Sequence, residues 1–168
     1  MRARRKEVTK EEALGRLEVL CGRSEQCESD LTRTLINWGI SSCDRKEILY
    51  YLKENRYLDD ARFARSFAND KARFSSWGPY KIRMELIRKR ISSPLIREAV
   101  NNVESEIWKE GLLRCARAKA KNLDLTGEDS FEECQKLFRY LVGRGFPSGA
   151  VSKAVNVMRK RQETDEVD

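Results

Sequence analysis

The chain has 168 residues, 36% of them charged and 8% aromatic, with only 9 glycines and 3 prolines; this suits exposed amphipathic helices and argues against long irregular loops. Lysine and arginine number 34 against 27 aspartates and glutamates, a formal charge of +7 that favours a nucleic-acid or acidic partner or, more simply, serves solubility. Histidine is missing, which removes the commonest general base and metal ligand.

The basic segment Met1 to Lys6 runs into Glu11 and Glu12 rather than into an apolar stretch, so neither a signal peptide nor a membrane span is expected. Leu14, Leu17 and Leu20 then fall on one helix face. Leu31 and Leu35 lie four apart on a second helix; Gly39 fits the left-handed residue that closes it, and Ile40 folds back onto it. Ser42 is expected to cap a third helix carrying Leu49 and Leu52.

The same succession recurs twice. Asp59 and Asp60 read as the N-terminal cap of a helix with a core stripe of Phe63, Phe67 and Phe74. Ile82 and Leu86 follow, then a stop at Arg90 and Ile91, Ser93 as cap, Pro94 at a first helical position, and Val100 and Val103. The third succession is Leu112, Cys115 and Ala116, an acidic turn-rich insertion from Leu123 to Ser130, and Leu137 and Leu141. It closes with Gly145, Phe146, Ser148, Val155 and Met158. The chain therefore reads as all-α: three tandem three-helix repeats at 10–58, 59–104 and 105–160, forming an elongated, curved protein. The acidic stretch 161–168 is expected to be disordered.

No catalytic constellation is legible. The sequence has no G-x-x-x-x-G-K-[ST] phosphate loop. Cys21, Cys27, Cys43, Cys115 and Cys134 form no C-x-x-C pair and read as reduced thiols of a cytoplasmic protein. Asp59 and Asp60, the most tempting carboxylate pair, lack further metal ligands. Neither enzymatic activity nor a metal nor a cofactor is expected.

The positive charge is concentrated. Between 71 and 97 stand Lys71, Arg73, Lys81, Arg83, Arg88, Lys89, Arg90 and Arg97, with Glu85 the only acid; elsewhere the charges cancel. On the helix beginning near Pro79, Lys81 and Arg88 share one flank and Arg83 and Arg90 the other, two basic ridges suited to following phosphates. Tyr80 and Trp77 lie beside them and could stack on bases, although Trp77 equally suits a plug between helices. Should this run prove to be an ordinary solvated face, binding would be sought at Arg114, Arg117, Lys119 and Lys121.

Leu58, Asp59, Asp60, Arg62, Phe63 and Ala64, followed by Gly78, Pro79, Ile82, Glu85 and Leu86, resemble the motif of the RecX family, bacterial regulators of the RecA recombinase. The resemblance extends over about 10–160 and is most specific in the second unit. Ser76 stands where the family has the first glycine of Gly-x-Gly-Pro, and Arg90 where it has the glycine before Ile91. The resemblance implies a modular helical repeat that binds the recombinase filament on single-stranded DNA and restrains its ATPase, strand exchange and co-protease activities. The protein is expected to be a monomer without membrane contact. The alternative is a stand-alone DNA- or RNA-binding helical module without a recombinase partner.

Overall fold

The computed structural model describes residues 8–165. The basic segment Met1 to Lys6 and residues 166–168 lie outside the described residues. Among those described, the chain forms nine α-helices and no strand. They are α1 (Lys10–Arg23), α2 (Glu28–Asn37), α3 (Ser42–Glu54), α4 (Asp60–Ser75), α5 (Pro79–Arg88), α6 (Ser93–Asn101), α7 (Ser105–Ala120), α8 (Ser130–Gly143) and α9 (Ser148–Asp165). No helix among these residues is long and apolar enough to cross a membrane.

Helices α2, α5 and α8 end in the same way. Gly39, Arg90 and Gly145 take φ values of 79°, 59° and 92°, the left-handed region that lets the chain reverse. The next residue then donates its N–H back into the helix: Ile40 to Leu35 at 3.1 Å, Ile91 to Leu86 at 3.1 Å, and Phe146 to Leu141 at 3.4 Å. Ile40, Ile91 and Phe146 are buried, so each stop is locked by an apolar side chain as well as by hydrogen bonds.

The serines after each stop are displaced by one residue from the expected role. Ser42, Ser93 and Ser148 are the first residues of α3, α6 and α9, already helical, so the cap is the residue before each. Ser41 accepts from the Asp44 N–H at 3.1 Å; Ser92 makes no such side-chain bond, and the Pro147 carbonyl accepts from Val151 at 3.0 Å. Pro94 accordingly sits second in its helix, where its missing N–H still costs nothing.

Three apolar clusters follow one another along the chain. The first runs from Ala13 to Leu58, the second from Phe63 to Ile107, and the third from Leu112 to Met158. Cys27, the N-cap of α2, and Ile107, in the first turn of α7, join the second cluster from the neighbouring repeats. Helix α4 is central, packing on α5, α6 and α7. Its buried stripe is Phe63, Ala64, Ala68 and Ala72, with Phe67 half-buried. Phe74 is 82% exposed, contrary to expectation. It shares the wheel arc of Phe63 and Phe67 but is the penultimate residue of α4, past Ala72, the last buried residue of the helix. In α1, Ala13 and Leu17 are buried and Leu20 is exposed.

The acidic tail is helical as far as it is described: α9 continues to Asp165, where disorder was expected from 161. The Gln162 side chain explains this. Its amide donates to the carbonyls of Ala120 and Leu123 at 3.2 and 3.0 Å and accepts from the Leu125 N–H at 2.8 Å, tying the insertion after α7 to α9. Leu125 is fully buried there.

Candidate partner-binding surface

The family-like motif residues build two junctions. At the first, Asp59 is the N-cap of α4 and accepts from the N–H groups of Ala61 and Arg62 at 2.8 and 3.0 Å. The Arg62 amide, with that of Ala61, holds the Asp59 carboxyl below its ordinary range. Asp60 instead accepts from the Glu28 N–H at 2.9 Å and supplies the cap that Cys27 fails to give α2. Burial pushes the Asp60 carboxyl upward. Arg62 pairs with Glu25, Lys53 with Glu28, and Lys89 with Asp30, and the Ser29 hydroxyl donates to the Lys89 carbonyl at 2.6 Å. Both aspartates are thus committed to helix ends. Among the described residues no group of three or more cysteine, aspartate or glutamate side chains is placed to hold a metal.

At the second junction the Gly78 N–H donates to the Arg144 carbonyl at 2.8 Å and the Tyr80 N–H to the Gly145 carbonyl at 3.0 Å. A Cβ on Gly78 would lie 2.2 Å from the Gly145 carbonyl carbon, so only glycine admits this approach. The stop of α8 therefore caps the start of α5. Ser76, one of the two departures from the family pattern, is left-handed at φ 49° and buried. Its hydroxyl accepts from Arg114 Nε at 2.9 Å, and Arg114 and Arg144 also donate to the carbonyls of Arg73 and Ser76. A serine there supplies a side-chain bond that glycine could not.

The eight cations of 71–97 divide into four pairs. Lys71 and Lys81 sit over the Trp77 ring, 5.1 and 4.4 Å from its centroid, and Trp77 packs edge-on against Phe67. Trp77 is a half-buried plug rather than a free stacking platform. Lys89 is committed to Asp30 and Arg73 approaches Glu104 at 3.8 Å. Arg88 and Arg90 face a groove of about 370 Å³ whose lining includes Arg33, Thr32 and Ile36 of α2. Arg88 also contacts Glu85 at 2.5 Å. Arg83 and Arg97 line a second groove, of about 230 Å³, with Ile87 and Ile96. The Arg83 Nε is buried without a hydrogen-bond partner.

These groupings differ from the expected ridges. Lys81 lies over the Trp77 ring, and Arg90 lies in the left-handed stop, where the helical wheel no longer sets its direction. Arg33 was not anticipated, because its repeat carries no excess charge. Tyr80 is exposed, as are Met84 and Ile87 one and two turns along the same face of α5. Their i, i+4, i+7 spacing, opposite Ile82 and Leu86, is the signal that could have revealed them.

A profile of the RecX second three-helix domain matches residues 59–100, the segment that carries the motif and both grooves' α5 side. A regulatory protein RecX of Legionella pneumophila (strain Corby) is 32% identical over 134 residues, covering 80% of this chain and 86% of the relative. The chain belongs to the RecX family. A regulatory protein RecX of Clostridium botulinum (strain Alaska E43 / Type E3) is 35% identical over 96 residues, 57% of this chain and 44% of the relative. The chain thus spans about half the length of the clostridial RecX proteins that it matches. The fold agrees with two solved structures. A regulatory protein RecX superposes with a TM-score of 0.76 at 22% identity, covering 88% of this chain and 71% of that one. RecX from Lactobacillus salivarius gives 0.74 at 15% identity, covering 89% and 96%.

Proposed function

We propose that this chain regulates, mainly by inhibition, a RecA-type recombinase filament on single-stranded DNA, restraining its ATPase, strand exchange and co-protease activities. The observation that carries this reading is the division of labour in the second repeat. Among the residues shared with the RecX family, Asp60, Arg62 and Gly78 fasten the repeat to its neighbours and Phe63, Ala64, Ile82 and Leu86 fill its core, while Arg83, Arg88, Arg90 and Arg97 line open grooves. The units 10–58, 59–104 and 105–160 act as linked binding modules of one monomer, without a cofactor. Each contact is modest, and the second and third become intramolecular once the first has formed, so affinity multiplies. Inhibition follows from favouring one filament state over another.

The stand-alone nucleic-acid module is the second reading, and exposed Tyr80 beside these cations favours it, because a ring there can stack on a base. Co-sedimentation with recombinase filaments, set against binding to the bare DNA strand, separates the two. The regulatory reading expects clear preference for the filament. Equal affinity for bare DNA would replace it with the second.

A further inference from the structure

At one register position in each repeat, directly after the second buried aliphatic residue of α2, α5 and α8 (Leu35, Leu86 and Leu141), a β-branched apolar side chain faces solvent. These are Ile36, Ile87 and Val142, exposed by 52%, 55% and 41%. The equivalence is structural: each of the three carbonyls accepts from the left-handed residue of its stop, Gly39, Arg90 or Gly145, at 2.8–3.0 Å. A single exposed isoleucine is ordinary on a protein surface; the same position occupied three times, in three otherwise divergent helices, is a pattern. On α5 the spot widens into a stripe with Tyr80 and Met84, exposed by 55% and 53%.

Cations accompany each spot. Ile36 borders the groove of Arg33, Arg88 and Arg90. Ile87 borders that of Arg83 and Arg97, and Arg139 stands one turn before Val142 and is exposed. Phosphate has no use for isoleucine or valine, and α2 carries no ring to stack on a base. An apolar knob among carboxylates matches all three spots.

We propose that the outer faces of α2, α5 and α8 form a protein-docking surface. Its occupant is a repeating protein partner that presents an apolar side chain ringed by carboxylates once per subunit. The partner's identity rests on the regulatory reading above. Under it, these faces engage the recombinase protomers and not the DNA strand.

The test compares Ile36→Ser, Ile87→Ser and the triple change with Val142→Ser. Val19→Ser on α1 serves as control, because Val19 is 55% exposed but lies outside the pattern. Two probes are used: recombinase filaments assembled on oligothymidylate with a slowly hydrolysed ATP analogue, and the bare oligothymidylate. Each single change is expected to weaken filament binding about 3- to 10-fold and the triple change about 100-fold, with Val19→Ser neutral. Bare-strand affinity should stay within about twofold throughout, because the basic side chains are untouched. If the triple variant melts early, the single variants carry the comparison. Wild-type affinity in the altered proteins would overturn the proposal while leaving the regulatory reading intact. Parallel losses on both probes would assign the surface to nucleic acid. A wild-type protein that ignores the filament would sink both readings together.

Discussion

Arg90 occupies a left-handed turn at φ 59°, where its two counterparts, Gly39 and Gly145, have no Cβ to clash. Arg90→Gly should therefore raise stability by about 1 kcal/mol, read as a higher urea midpoint at unchanged slope. The same change should weaken filament binding, since Arg90 lines the groove shared with Arg33 and Arg88. Asp59 and Asp60 offer a second residue-scale test, with opposite signs. The Asp59 carboxyl is held low by the amides that it caps, so its contribution is present above the ordinary carboxylate range and lost as pH falls through the lowered value. Asp59→Ala should cost about 1 kcal/mol at neutral pH and progressively less on acidification. The Asp60 carboxyl is raised by burial, so its contribution is present in acid and lost as pH rises through the raised value. Asp60→Asn keeps an acceptor for the Glu28 N–H and should match or exceed the wild-type melting temperature at neutral pH.

The helix stops were legible in the sequence because everything that makes them is local: a residue able to adopt positive φ, and a large apolar residue after it. Buried Leu49, Leu52, Val100, Val103, Val155 and Met158 were legible for the same reason. What failed was fine register. Ser42, Ser93 and Ser148 differ from true caps by one residue, which periodicity cannot resolve. Phe74 shares the arc of Phe63 and Phe67 but lies beyond Ala72, at the end of α4, where periodicity does not tell how far the packing extends. A graded series checks this: Phe63→Ala should cost about 3–4 kcal/mol, half-buried Phe67→Ala less, and Phe74→Ala under about 0.5 kcal/mol. Equal destabilisation at all three positions would contradict the packing of α4. Gly78→Ala tests the junction between α5 and the α8 stop. Its Cβ would collide with backbone, not with a movable side chain, so a loss of about 3 kcal/mol or more is expected in thermal unfolding.

For the whole molecule, the charge run was legible as composition, but its arrangement was not. The groove of Arg33, Arg88 and Arg90 is assembled from two repeats and a turn, and two of the lysines are held over Trp77. Reversing Arg88 and Arg90 together should weaken binding while helix content stays constant by circular dichroism. If these arginines neutralise DNA phosphates, the salt dependence on a single strand should flatten by about 0.7 log units per log unit of salt for each phosphate no longer bound. Beneath these details lies one claim, that a chain of three linked helical repeats acts on a recombinase filament. The most direct measurement is the DNA-dependent ATPase of the recombinase on single-stranded DNA, titrated with this protein. With each copy bridging several protomers as proposed, turnover is expected to fall well before one copy is present per recombinase protomer. Unchanged turnover in molar excess of the folded protein would contradict the account.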